Sequence, residues 1–328
     1  MKLDFLKNTL PYIALRKFYK RYYYKNINFK KNPIYKISDF PREIWLENTN
    51  HCNATCIMCP RELQTRKKGL MKMELYKKLI NEMSSHKNTV ERLHMHNFGE
   101  PLLDKKLPER IKIAKDNGIK HVYFVSNASL LTPKITESLI LSGLDQFKIS
   151  FYGIDKESYN NTMIDLDYDT TLSNVKNFFE IRKKLNAKNP SVVIQLIPQL
   201  LKEGQVEKWY EQFKHLLDYE IGDSIIEVPI HNFSDGRKYN NINQMITDIC
   251  PYPWRTMVIL QDGQVSPCSH DFNGSIDLGD VNFLTISEVW NGEKYKKIRE
   301  SFKNLNYSNY SACNKCDVPR NAPALEHN

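Results

Sequence analysis

Asn50-His-Cys-Asn-Ala-Thr-Cys-Ile-Met-Cys-Pro60 gathers Cys52, Cys56 and Cys59 into eight residues. Three thiols from one tight loop can hold three irons of a cubane and leave the fourth metal position without a protein ligand. An open position of that kind marks catalytic rather than structural metal sites. Zinc is the competing occupant, with His51 as a fourth ligand, but structural zinc normally takes paired arms from separate turns. The chain of 328 residues has seven cysteines, an odd number. Clustered thiols in a reducing compartment point to metal rather than to disulfides.

Outward from this loop the pattern becomes regular. Residues 43–48 read as a strand entering the loop, and 72–85 as a helix leaving it. Strands are expected at 90–96, 121–125, 146–151, 192–197 and 225–230, and helices at 105–117, 133–142, 170–185 and 205–217. Asn117-Gly118 and Gly143 are stop signals for two of the helices. Such alternation predicts an α/β fold of parallel βα units, whose chemistry collects at the C-terminal ends of the strands. Asn48, Asn97, Glu100, Ser126, Asn127, Ser150 and Gln195 fall at those ends. After about residue 232 the sequence turns to short, turn-rich pieces, so a boundary is expected between 232 and 249.

The later pieces carry Cys250-x17-Cys268-x44-Cys313-x2-Cys316, a four-thiol set on distant arms. A zinc ribbon-like site would fit this spacing as well as an iron–sulfur cluster.

Taken with Asn97-Phe-Gly-Glu-Pro101, Ser126-Asn-Ala128 and Lys148-Ile-Ser-Phe151, the cysteine loop resembles the radical S-adenosylmethionine (SAM) superfamily over roughly residues 42–318. The resemblance implies a partial (β/α)6 TIM-like barrel over 41–235 and a small C-terminal cluster domain over 236–328, which leaves residues 1–40 as a separate N-terminal arm. It implies that Cys52, Cys56 and Cys59 hold a [4Fe-4S] cluster whose open iron chelates SAM. Gly99 and Glu100 would seat the SAM amine, and Asn127 and Ser150 would contact its ribose or carboxylate. Met58 stands where the family usually has an aromatic residue against adenine, and a thioether can fill that space. The four late cysteines resemble the auxiliary-cluster appendage of SPASM and twitch-type members. Four ligands suffice for one fully ligated [4Fe-4S] cluster, as in the twitch type.

The implied activity is formation of a 5′-deoxyadenosyl radical and hydrogen abstraction from a substrate C–H bond. Electron transfer to the second cluster would then make a dehydrogenation of a sugar or small polyol, fed by a flavodoxin- or ferredoxin-like donor. His94, His96, Tyr152, His231 and His270 are candidates for substrate contact or base. The alternatives are a peptide-modifying maturase, an epimerase if one thiol is spare, and a zinc-bearing nucleic-acid-binding module.

The formal charge of +9 is concentrated in residues 1–40, with ten Lys/Arg against two Asp. There Leu15, Phe18, Tyr19, Tyr22 and Tyr23 recur at helical spacing. Such an arm suits packing on the body or peripheral contact with an anionic membrane, and nucleic acid less well. No apolar run or leader is evident, so the expected location is cytoplasmic, with membrane contact only through the arm.

Overall fold

Strand β1 (Glu43–Leu46) is the seam of the molecule, because the sheet grows from both of its edges. On one side follow β2 (Arg92–His94), β3 (Val122–Ser126), β4 (Gln146–Ser150), β5 (Ser191–Leu196) and β6 (Ser224–Glu227), each parallel to the last. On the other side β7 (Thr256–Ile259) is also parallel to β1, and β8 (Gln264–Ser266) and β9 (Gly279–Asp280) continue antiparallel. The computed structural model describes residues 33–321 except 235–236, 238–245 and 247–248. The aromatic stripe expected at 15–23 lies outside them.

The crossovers between β1 and β6 are helical, which gives the expected partial (β/α)6 barrel. Helix α1 (Met73–Ser85) buries Leu75, Tyr76, Leu79, Ile80 and Met83, a single stripe at helical spacing. α2 (Leu107–Asp116) and α3 (Pro133–Leu141) stop before Gly118 and Gly143, whose φ angles of +80° and +85° suit glycine. A helix absent from the sequence reading, α4 (Lys156–Thr162), opens on a capping box between Asp155 and Ser158. α5 (Tyr168–Lys184) and α6 (Gln205–Phe213) complete the set, α6 ending earlier than expected in a tighter turn over 214–216.

Along β1 the helix-facing Ile44 and Leu46 are fully buried, while Trp45 faces the lumen and stacks on His94. The lumen also holds Tyr123, whose ring lies beneath the Lys148 ammonium at 4.7 Å. Past β9, α7 (Ile286–Asn291) and α8 (Glu293–Lys303) add Trp290, Tyr295 and Phe302 to the same apolar core, which also takes in Trp254. The change of texture near residue 232 therefore does not break the sheet: Glu47 N–H donates to Ile259 O at 2.9 Å, tying β1 to the C-terminal region.

Candidate functional site

The cysteine loop leaves β1 and is closed by its own neck. Met71 N–H donates to Asn48 O (2.8 Å), Asn50 Nδ2 to Lys67 O (3.1 Å), and Gly69 N–H to Asn50 Oδ1 (2.8 Å). Its middle is pinned by Thr55 N–H to Ile164 O and Ile57 N–H to Thr162 O, both 3.1 Å. The buried Arg61 crosses the loop to Ala54 O at 2.7 Å.

The three thiols are close enough to oppose one another's ionisation. Burial pushes Cys52 up to about 11, with Glu100 and Cys59 adding to it. Burial and then Cys59 and Cys52 push Cys56 higher still. Several thiolates cannot share such a place unless a cation offsets them, so the donor set fits a metal cluster. The backbone fits as well: the N–H groups of Ala54 and Arg61 point at Cys52 and Cys59, two residues before each. Such donors favour the thiolate form.

The Gly-Glu-Pro turn is locked to this loop. Glu100 N–H donates to His51 O at 2.8 Å. A Cβ on Gly99 would stand 2.1 Å from Thr49 O, so the close approach demands glycine. The buried Glu100 carboxylate accepts from Leu102 N–H (3.0 Å), Ser126 Oγ (2.7 Å) and Asn127 N–H (2.9 Å). Burial raises it to about 6 despite those bonds. It leaves Oε2 one acceptor position for a ligand cation. Asn127 reaches the cysteine loop itself, donating to Asn53 Oδ1 at 3.1 Å, and the turn after it holds Ala128 at φ +61°. Ser150 accepts from Gln195 Nε2 (2.8 Å) and Tyr152 OH (3.2 Å), and Tyr152 feels the charge of Cys56 and Cys59. Met58 is buried. Gly99, Glu100 and Asn127 thus touch the cysteine loop directly, and Ser150 bonds Tyr152, which lies within electrostatic reach of Cys56 and Cys59. Asn53 and Arg61 were not legible beforehand, since neither belongs to a spacing pattern.

Cys250, Cys268, Cys313 and Cys316 line one cavity with about 320 Å³ of unfilled space, part of it open to solvent. Burial pushes all four up, with other thiols adding to it at Cys250, Cys313 and Cys316; Cys268 rises to about 12, where Asp271 is the charge that adds to burial. The two-residue pattern recurs, with N–H donors from Tyr252 to Cys250, His270 to Cys268 and Val318 to Cys316. Four converging thiols with aimed donors fit a fully ligated cluster. Tyr307 OH accepts from Cys250 N–H at 2.9 Å. Asp271 fixes the Cys268 loop by accepting from Ser275 N–H, Ile276 N–H and Ser266 Oγ.

Of the five base candidates, His94 is committed to packing, stacked on Trp45 with its Nδ1 on Tyr123 OH. His96 lies in the lumen with a buried, unpartnered Nδ1. His231 Nδ1 is 3.2 Å from the buried Asp317, and His270 lines the four-thiol cavity, its burial pushing its pKa down to about 3 and holding it neutral.

Two family models match the chain: the radical SAM superfamily over residues 46–194 and the SPASM iron–sulfur cluster-binding domain over 250–317. The chain belongs to the radical SAM superfamily. Its cofactors are SAM and [4Fe-4S] clusters, and it is an enzyme, which sets aside the zinc-bearing nucleic-acid reading. Among curated relatives, a SAM-dependent 2-deoxy-scyllo-inosamine dehydrogenase of Niallia circulans is 23% identical, covering 84% of this chain and 92% of its own. A tungsten-containing aldehyde ferredoxin oxidoreductase cofactor-modifying protein of Pyrococcus furiosus is 20% identical, covering 84% and 88%. Among solved structures, BtrN in complex with AdoMet and 2-DOIA superposes with a TM-score of 0.57 at 20% identity, covering 84% of this chain and 92% of BtrN. Streptococcus suis SuiB bound to precursor peptide SuiA gives 0.66 at 15%, covering 95% and 76%. These radical SAM neighbours share the fold. Among the described residues no helix is long and apolar enough to cross a membrane.

Proposed function

We propose that this radical SAM enzyme is an oxidoreductase that dehydrogenates a secondary alcohol on a sugar or small polyol. Cys52, Cys56 and Cys59 hold the SAM-binding [4Fe-4S] cluster in this reading, and Cys250, Cys268, Cys313 and Cys316 hold an auxiliary one. The observation that carries it is the cavity lined by four thiols. A cluster with four protein ligands has no iron free for substrate, so its use is electron transfer.

When bound, the reduced cluster and SAM supply a 5′-deoxyadenosyl radical able to take hydrogen from an unreactive C–H bond. The chain's part is to orient SAM and keep water away. Glu100 offers its remaining acceptor position to the SAM amine, Asn127 and Ser150 serve the ribose or carboxylate, and Met58 packs against adenine. Loss of a hydrogen atom from a carbinol carbon leaves one electron and the hydroxyl proton still to be removed. The rings of Phe98, Phe233 and His270 run from beside Gly99 to the four-thiol cavity, with centroids 5.6 and 5.5 Å apart. That series offers the electron a short way to the auxiliary cluster, while the proton goes to water or a side-chain base. A flavodoxin- or ferredoxin-like protein supplies the electron that starts each turnover.

The substrate class leans on the inosamine dehydrogenase, whose name gives an amino-substituted cyclic polyol as its substrate. The test is anaerobic incubation with SAM, dithionite and either 2-deoxy-scyllo-inosamine or myo-inositol, followed by mass spectrometry. A ketone formed in step with 5′-deoxyadenosine supports the reading. A redox-neutral product, or activity confined to peptides, would overturn it.

A further inference from the structure

Residues 231–234 form a strap beside the four-thiol cavity, which Ser234 lines, and the strap is over-fixed. Asn232 N–H donates to Asp317 Oδ2 (3.2 Å), Asn232 Nδ2 to Lys315 O (2.8 Å), and Asp317 N–H returns to Asn232 Oδ1 (3.2 Å). His231 joins the same carboxylate. Phe233 and Ser234 then take φ angles of +46° and +59°, a backbone state that bulky residues adopt only when their surroundings impose it. The result of that turn is one specific contact set. Phe233 stacks on the His270 ring at 5.5 Å and 27°, and Ser234 Oγ donates to His270 O at 3.0 Å. His231 meets the same ring edge-on at 4.6 Å, and Tyr252 closes the far side at 5.8 Å.

The imidazole so clamped has unused polarity. His270 is 6% exposed and lines the cavity with all four cysteines, and its Nδ1 is buried without a hydrogen-bond partner. Leaving such an atom unsatisfied is costly, so packing alone does not explain a strained strap that holds it there. A donor facing an iron–sulfur cluster stabilises the reduced, more negative state and raises its potential.

We propose that His270, clamped by Phe233 and Tyr252 and backed by the His231–Asp317 pair, hydrogen-bonds the auxiliary cluster and sets its reduction potential. It acts on the cluster rather than on substrate, and Phe233, Tyr252, His231 and Asp317 act through it as positioning residues. The inference rests on the four late cysteines holding an iron–sulfur cluster, but not on the identity of the substrate.

The test uses the full chain carrying Cys52→Ala, Cys56→Ala and Cys59→Ala, so that only the auxiliary cluster contributes, titrated by EPR against electrode potential. Adding His270→Leu is expected to lower the ratio of reduced to oxidised cluster at fixed potential by about tenfold, equivalent to about 59 mV for one electron. His270→Gln, which keeps a donor, should recover part of the shift. His231→Leu and Asp317→Asn should shift the ratio the same way by less. Because substitutions can cost cluster loading, the unsubstituted holoenzyme is also examined by pulsed EPR after 15N-histidine labelling. A histidine nitrogen coupling on the reduced auxiliary cluster is expected. An unchanged potential in His270→Leu with iron and sulfide retained would overturn the inference, as would absence of that coupling. A separate mononuclear metal ion lost in His231→Leu would also overturn it, reassigning His231, His270 and Asp317 as its ligands. Zinc in place of iron on the four late cysteines would sink the cluster reading first, and this inference with it.

Discussion

The two thiol sites solve one problem in opposite ways. The first takes all its cysteines from eight consecutive residues and closes the loop with its own neck, so its geometry is mostly local. The second collects cysteines from positions 250, 268, 313 and 316 and depends on distant groups such as Tyr307 and Asn232 to hold their loops. Its Cys250, Cys268 and Cys316 are buried, whereas the three of the first site are only partly so. A local loop can wait for its metal. A site assembled from distant segments needs its metal to keep those segments together, because binding free energy there is folding free energy.

The largest expected effect tests that contrast. Replacing Cys313 and Cys316 by Ser should lower the anaerobic thermal midpoint by roughly 10 °C or more. Replacing Cys52, Cys56 and Cys59 by Ser should abolish SAM cleavage yet shift the midpoint by only about 3 °C. Equal shifts in differential scanning fluorimetry would break the comparison.

Next comes the joint between the regions. Glu47 is fully buried at the end of β1 and takes a bidentate grip from Arg66 at 2.7 and 2.8 Å. It also accepts from Asn97 beside the first site and from Gln261 N–H in the C-terminal region. Arg66→Leu strands that carboxylate, and a loss of about 3–5 kcal/mol is expected in denaturant unfolding. The double replacement Arg66→Leu with Glu47→Gln should recover most of it. If the single variant loses less than about 1 kcal/mol, the pair is screened by water and does not join the regions.

The same contrast explains what the sequence could reveal. Cys52, Cys56 and Cys59 announced themselves because their spacing is the geometry, and the alternation of strands and helices located the turn carrying Glu100. The strand ends also gathered Asn127 and Ser150. Hidden were contacts made only in three dimensions: Asn127 against Asn53, Gln195 against Ser150, and the His231–Asp317 pair. Strand β7 was hidden too. Its Thr256–Ile259 stretch reads as one more short piece after residue 232, and nothing local says that it pairs with β1. Helix α4 escaped because Lys156–Thr162 buries only Tyr159 and Thr162, too few residues to show a stripe.

The smallest expected effect lies in titration beneath the first site. Burial holds His96 neutral, its pKa pushed down to about 3. A histidine depressed in the folded state contributes stability that is fully present above its unfolded value near 6.5 and is lost as pH falls below it. Between pH 7.5 and 6 the unfolded chain begins to bind this proton while the folded chain does not, so about 1 kcal/mol should be lost. His96→Leu removes that term and forfeits no hydrogen bond at Nδ1, which has no partner. Its unfolding free energy should therefore fall by about 1 kcal/mol less than that of the unchanged protein over the same pH interval. Parallel slopes in anaerobic urea titrations would mean that the lumen admits the proton. The space beneath the first site would then be wet, and the difference between an open upper loop and a lumen that holds His96 neutral would disappear.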